Sequence, residues 1–232
     1  MVVDEFVTCH MCVTMDLVQA VAAHIVSHLD PNRRSHPLFV ALQGPQGSGK
    51  SYLSAQLKKQ LTEPPHSLNV AVLSIDDLYL RQQDLAALAA ETPRNPLWAG
   101  RGQPGTHDID LGTTILRALH RQEERVEIPV FDKSLCDGRG DRLSNGLVIH
   151  PPIDVVILEG WCVGFSPISQ GELDERWDGV WKEQCQSLSL PYFFQKSDLE
   201  RVNEALKRYT ELWSYFDLLV QVWTIWQLRG SE

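Results

Sequence analysis

Gly44-Pro45-Gln46-Gly47-Ser48-Gly49-Lys50-Ser51 is the stretch that decides the fold. It matches G-x-x-x-x-G-K-[ST] without a departure, the pattern of a phosphate-binding loop. Glycines at 44, 47 and 49 let the backbone curl so that successive N–H groups point inward at phosphate oxygens. A helix following the loop adds the positive end of its dipole at the same point. In such a loop Lys50 reaches the β- and γ-phosphates of ATP, and the Ser51 hydroxyl ligates Mg²⁺. The flanks satisfy the mechanism. Pro37 to Leu42 is a short apolar run bounded by turn residues, as a strand buried on both faces should be. Leu53, Leu57 and Leu61, spaced by four, predict the helix.

Working outward, strands and helices alternate. Residues 13–29 have helical periodicity through Val13, Leu17, Val18, Val21, Ile25 and Leu29, and Asp30-Pro31-Asn32 stops that helix. Val70 to Ile75 reads as a second buried strand ending at Asp76-Asp77. Residues 81–90 read as helix, and 91–109, with three prolines and three glycines, as a loop too long to be idle. A helix is expected over 110–122, a strand over 126–131 and a polar loop over 133–146. Ile153 to Leu158 is the cleanest buried strand and runs into Glu159-Gly160-Trp161. Ser197-x-x-Glu200 has the capping-box pattern before a helix carrying Leu199, Val202, Leu206, Tyr209, Trp213 and Phe216, and Leu218 to Trp223 is a last strand. This alternation predicts an α/β fold, a doubly wound parallel sheet with helices on both faces. No repeat or linker divides the chain, so residues 1–232 are expected to form one domain, with 1–12 frayed.

Composition narrows the function. Thirty acidic against 21 basic residues leave a net charge of −9, which argues against nucleic acid as a partner. No apolar run approaches the roughly 18 residues of a membrane span. Five scattered cysteines and an N-terminus without a basic-then-apolar leader suit a cytoplasmic protein.

Ligands of open α/β sheets gather at the carboxyl ends of the strands, so acids there are the next candidates. Glu159 stands where an acid would hold Mg²⁺ through its water shell, and Asp76 could sit beside the transferring phosphate, with a solvated acid capping a strand end as the alternative for each. Other signals are weaker. Cys9-His10-Met11-Cys12 has no second pair to complete a zinc site, and His24 and His28 lack the Glu of a zincin. Trp177, Trp181, Tyr192, Phe193 and Phe194 read as core aromatics or a ligand cover. Arg139 and Arg142 read as solvated loop charges or phosphate clamps. Gln195-Lys196-Ser197-Asp198 nearly matches the guanine-reading N-K-x-D, and Asp137 to Gly140 fits D-x-x-G, which keeps a GTPase-type switch as a minor alternative.

Four further segments occur in order: Leu73-Ser74-Ile75-Asp76-Asp77-Leu78-Tyr79-Leu80; Arg101-Gly102-Gln103-Pro104-Gly105-Thr106-His107-Asp108; Pro129-Val130-Phe131-Asp132-Lys133-Ser134 with Gly138-Arg139-Gly140-Asp141-Arg142; and Ile157-Leu158-Glu159-Gly160-Trp161-Cys162-Val163-Gly164-Phe165. From about residue 14 to 223 the chain resembles the D-glycerate 3-kinase family of plants and fungi, within the uridine kinase, phosphoribulokinase and pantothenate kinase group. The resemblance implies a P-loop NTPase sheet of order 2-3-1-4-5 and ATP-dependent phosphorylation of a small hydroxy acid, with D-glycerate leading. It implies that Asp76 faces the acceptor hydroxyl and that Asp77, Tyr79, Arg101, His107 and Asp108 lie on the substrate side, with Lys133 and Arg142 facing anionic groups. Phe131 stands where the family commonly has Tyr. The chain ends at Glu232, whereas relatives continue through a Trp-Arg-containing segment and a closing helix, so a nucleotide-binding protein with little transfer activity is the alternative expectation.

Overall fold

A computed structural model describes residues 6–9, 15–29, 36–187 and 194–223. In chain order, β1 (Phe6–Cys9) and α1 (Met15–Ser27) precede β2 (Leu38–Gln43), α2 (Lys50–Thr62) and β3 (Val70–Ser74). Then come α3 (Gln82–Glu91), α4 (Ile109–His120) and four short strands, β4 (Val126–Ile128), β5 (Phe131–Asp132), β6 (Asp141–Arg142) and β7 (Leu147–Ile149). The central strand β8 (Val155–Gly160) follows, then α5 (Gln170–Arg176), α6 (Lys182–Ser187), the long α7 (Lys196–Trp213) and β9 (Leu218–Val222).

The main sheet is parallel throughout, in the order β3-β8-β2-β9-β1. Successive side chains of a strand face opposite sides, and the core divides accordingly. Leu38, Val40 and Leu42 of β2 and Val155 and Ile157 of β8 pack with Leu53, Leu57 and Leu61 of α2 and with α1. Phe39, Ala41, Val156 and Leu158 pack on the other face with Leu116 and Leu119 of α4 and Leu206, Tyr209 and Trp213 of α7. The doubly wound arrangement expected from the alternation is thus present.

Four positions of the expected order are met, and the fifth differs. Beside β9 lies β1, paired from Phe6↔Leu219 to Cys9↔Val222, so residues 6–9 are not frayed. The edge of β9 offers a row of backbone donors and acceptors, and Phe6-Val7-Thr8-Cys9 is a strand-forming sequence that can take them.

Other boundaries move for local reasons. β3 stops at Ser74, whose hydroxyl accepts the Asp76 N–H (3.3 Å) and starts a 3₁₀ turn, Ile75–Leu78. The strand expected over 126–131 breaks at Pro129, which has no N–H to give a ladder. The polar loop after it contains β6, which pairs antiparallel with β5, and the unanticipated β7 pairs with β4. The cap of α7 lies two residues before the expected Ser197: Gln195 is the N-cap, and the Asp198 carboxylate accepts its N–H (2.7 Å). That contact occupies the acid of the near-match to N-K-x-D. The segments α5 and α6 carried no reading from sequence. Trp177, Trp181 and Phe194 are half-buried rather than core, with Trp177 and Phe194 ring centroids 6.1 Å apart. His24 on α1 and His28 just after its end are partly exposed, rings 4.5 Å apart. Residues 10–12 of the C-x-x-C segment, the Asp30-Pro31-Asn32 stop, Tyr192 and Phe193 lie outside the described residues. Among the described residues, no helix is long and apolar enough to cross a membrane.

Candidate active site

The loop between β2 and α2 takes the shape its glycines permit. Gly47 (φ +76°) and Gly49 (φ +86°) are left-handed, a region that resists side chains. At Gly44 the constraint is space, because a Cβ there would lie 2.6 Å from the Val222 carbonyl oxygen and 2.9 Å from Ser48 Oγ. The loop therefore lies directly against the end of β9. Helix α2 begins at Lys50 with no side chain capping it, so its first N–H groups remain directed at the loop.

An open cleft of about 350 Å³ lies over this loop, lined by Gln46, Gly47, Gly49, Lys50, Ser51, Asp76, Lys133, Glu159, Gly160, Tyr52 and Trp161. Strands β2, β3 and β8 end side by side and deliver all of these groups but Lys133, which follows β5. Lys50 donates to the Pro45 carbonyl (2.7 Å), and burial lowers its pKa, partly offset by the charges of Glu159 and Asp76. Ser51 Oγ donates to Glu159 Oε1 at 2.9 Å. A hydroxyl and a carboxylate held together beside phosphate-directed N–H groups form an oxygen-donor pair that suits Mg²⁺, which takes few protein ligands and keeps phosphate oxygens and waters. Among the described residues, no three His, Cys, Asp or Glu side chains cluster so as to hold a metal ion.

Asp76 projects from the 3₁₀ turn, three-quarters buried, and its Oδ2 pairs with Lys133 Nζ (2.5 Å). Tyr79 lies beside Asp76, and burial, then the Asp76 charge, push its phenol far above the ordinary range.

Asp77 does not join the cleft lining. Its Oδ1 accepts the Phe131 N–H (3.0 Å), fixing the start of β5 against the turn, while burial raises its pKa and that N–H lowers it. The turn is 3₁₀ rather than strand, so helical and not alternating geometry separates Asp77 from Asp76.

The remaining substrate-side candidates are occupied with one another. Arg142 donates from Nη2 to the Tyr79 carbonyl (2.8 Å) and to Asp108 Oδ2 (3.2 Å), with its side chain only 11% exposed. Asp108 also caps α4 through the Leu111 N–H (3.0 Å). Arg101 bonds the carbonyls of Gly138 and Arg139 and lies over the Phe131 ring, 5.7 Å from its centroid. It lines a second groove with Arg139 and α3, not the phosphate cleft. Arg139 in turn bonds the Cys136 carbonyl (3.1 Å). The Asp137 to Gly140 stretch that fits D-x-x-G is this same tight loop, with Asp137, Gly138 and Gly140 at positive φ.

The Gly105-Thr106-His107-Asp108 segment has a packing reason at each position. Gly105 (φ +104°) has no room for a Cβ, which would sit 2.7 Å from the Trp98 ring. Thr106 ties its own loop, donating to the Gln103 carbonyl (2.7 Å) and accepting the Gly102 N–H (3.1 Å). His107 is buried, stacked on Tyr79 at 4.5 Å, and its Nδ1 lies 2.6 Å from the Tyr209 hydroxyl. Burial pushes its imidazole down to about 3. Glu159-Gly160-Trp161 is constrained in the same way: a Cβ on Gly160 would meet Ile75 Cγ2 at 2.3 Å. Trp161 accepts from Gln43 through its carbonyl (3.0 Å) and donates its indole N–H to the Gly102 carbonyl (3.1 Å), joining the phosphate cleft to the Arg101–Asp108 loop.

Sequence reasoning missed Trp161 and Tyr52 as cleft walls and Tyr209 as a polar partner. The resemblance had quoted Trp161 within its segment. Tyr209 was read only as an apolar position of α7, because helical periodicity registers the ring and not the hydroxyl.

No family model matches the chain. A probable ATP-dependent kinase of Saccharomyces cerevisiae is 43% identical over 141 residues, and that match spans 58% of this chain but only 49% of the yeast protein. An uncharacterized kinase of Schizosaccharomyces pombe is 32% identical over 219 residues, 90% of this chain and 73% of the relative. The solved structure of D-glycerate 3-kinase from Cryptococcus neoformans superposes with a TM-score of 0.81 at 36% identity, over 90% of this chain and 73% of that one. Together with the phosphate loop and the parallel sheet, these matches place the chain in the P-loop kinase family that includes D-glycerate 3-kinase.

Proposed function

We propose that the chain is an ATP-dependent, cytoplasmic kinase that phosphorylates a hydroxyl of a small hydroxy acid, with D-glycerate, giving 3-phosphoglycerate, as the leading acceptor. The observation that carries this reading is the pairing of Asp76 with Lys133 in the same cleft as Lys50, Ser51 and Glu159. A binder of nucleotide needs only the last three. A carboxylate facing the phosphate is costly unless a cation screens it, and Lys133 supplies that charge.

In this reading the loop N–H groups and Lys50, released from the Pro45 carbonyl, hold the β- and γ-phosphates. Ser51 and Glu159 would hold Mg²⁺, which would supply neutralising charge to the phosphates. Asp76 orients the acceptor hydroxyl and takes its proton as the new O–P bond forms, the bond to the bridging oxygen breaks, and ADP leaves. Neither nucleic acid nor a membrane enters the reading. The name D-glycerate 3-kinase carried by the Cryptococcus structure supports the choice of acceptor.

The test is ADP release measured against a panel of hydroxy acids, pantothenate and nucleosides, with wild type and Asp76→Asn. Release that depends on a hydroxy acid, falling at least about a hundredfold in Asp76→Asn while ATP affinity holds, is the expected result. Release that depends on no acceptor would defeat the kinase reading, and equal activity of the variant would remove Asp76 from the chemistry.

A further inference from the structure

The Tyr209 hydroxyl belongs to a buried residue and joins two parts of the Arg101–Asp108 loop. It accepts the Gly105 N–H at 2.8 Å and lies 2.6 Å from His107 Nδ1. The Gly105 N–H thus already takes one acceptor position of the phenol oxygen. Its own O–H has no other acceptor among the described residues.

Two arrangements of the proton between the rings are possible. If Nδ1 donated, the tyrosine O–H would be left without an acceptor and His107 Nε2 without a donor, two unmet buried groups. If the tyrosine donates, only His107 Nε2–H is unmet. Leaving a buried polar group unpaired costs about 1–3 kcal/mol, so the second arrangement wins. Among the described residues His107 Nε2 indeed has no hydrogen-bond partner, although His107 is only 4% exposed. Its ring stacks on Tyr79, the ring beside Asp76, and the charge of Asp76 acts on His107 as well. The imidazole thus lies one ring behind the carboxylate assigned to the acceptor hydroxyl.

We propose that Tyr209 is a positioning residue: its hydroxyl fixes His107 as the Nε2–H tautomer, so that the acceptor side of the site holds one buried N–H donor ready for an oxygen of the hydroxy acid. This rests on the kinase reading above. A site built to hydrogen-bond a substrate oxygen discriminates strongly against analogues lacking it, because its own buried group is then left unpaired. Tyr209 acts through His107 and touches no reacting atom.

The experiment has two independent arms. Imidazole ¹⁵N shifts of His107 report the tautomer in the full chain without any need for activity. The expected result is protonated Nε2 and bare Nδ1 in wild type, with mixed tautomers in Tyr209→Phe. Protonated Nδ1 in wild type would overturn the proposal, whatever the enzyme phosphorylates. In the kinetic arm, Tyr209→Phe should raise the acceptor KM about tenfold, roughly the worth of one hydrogen bond, and leave the ATP KM unchanged. In a His107→Gln background the same substitution should add little, since the two residues act as a unit. Equal rises in both KM values would overturn the proposal in favour of general loop damage, and so would a full effect of Tyr209→Phe in the His107→Gln background. Failure of every acceptor in the panel would strike the kinase reading, while the NMR arm would still decide the Tyr209–His107 bond.

Discussion

On the phosphate side of the cleft, eight consecutive residues and one acid from β8 supply the chemistry, and their contacts are with each other: Lys50 with the Pro45 carbonyl, Ser51 with Glu159. On the acceptor side, Arg101, His107 and Asp108 come from one loop and Arg142 from β6, and they are bound to partners that hold these segments together. The first set can exchange its contacts for those of a ligand without disturbing the fold. The second set cannot, because Arg142 fastens Tyr79 to the α4 cap and Arg101 fastens the tight loop at 136–140. The candidate residues thus divide into groups that contact only one another in the cleft and groups that tie loops together.

That division can be broken by experiment. The largest effect should come from Lys50→Ala, which removes a charge that neutral N–H groups do not replace. Turnover should fall about 10²–10³-fold, the loss seen when one preorganised donor is removed, and ATP binding by calorimetry should weaken while thermal stability changes little. Wild-type turnover would take Lys50 off the phosphate side.

Arg142→Ala should do the reverse. It leaves Asp108 without its cation and the Tyr79 carbonyl without its donor. Breaking a fully buried pair costs about 3–5 kcal/mol, and because Asp108 is 30% exposed a loss of about 2–3 kcal/mol in denaturant unfolding is expected, with ATP affinity retained. Unchanged stability with a large rise in acceptor KM would make Arg142 a substrate contact, as the resemblance implied.

Gly44→Ala probes the point where the phosphate loop depends on the sheet. The new methyl would meet the backbone oxygen of Val222, which cannot rotate away, so a loss of about 1–3 kcal/mol is expected. A variant as stable as wild type would mean that loop and β9 separate freely.

The smallest effect concerns pH. Burial holds the Asp77 carboxyl above its ordinary range, against the opposing Phe131 N–H, so the folded chain binds that proton more readily than the unfolded one. The stability from this group is therefore complete below the unfolded pKa and is lost as pH rises through the folded value. Asp77→Asn keeps an acceptor for Phe131 and does not titrate. Its melting temperature should decline less than wild type between acid and neutral pH, with near-normal activity. Parallel curves would show that Asp77 is not the group responsible, and a loss of activity larger than that of Asp76→Asn would reverse their roles.

How much was legible follows the range of the interactions. The phosphate loop, its strand and its helix were readable because glycine conformation, hydrophobic period and the order G-x-x-x-x-G-K-S are all local. Strands β2, β8 and β9 were placed within two residues for the same reason. The capping box at Ser197 was misplaced because two overlapping stretches present similar residues, and the choice of Gln195 with Asp198 is made where the chain turns into α7. The break at Pro129 was visible in principle, since proline offers no N–H to a ladder, but the apolar run around it concealed it.

The sequence by itself determined the P-loop class, the two-sided core and the loop of residues 44–51, because each is a property of neighbouring residues. Only the tertiary structure decided which of the remaining charged and aromatic residues are free to meet a ligand. Arg101, Asp108 and Arg142 are committed elsewhere, Lys133 is the partner of Asp76, and Tyr209, from a helix about a hundred residues later, closes on His107. A side chain's chemistry is set by what its polar atoms already touch, and those partners are brought within reach only when distant segments pack.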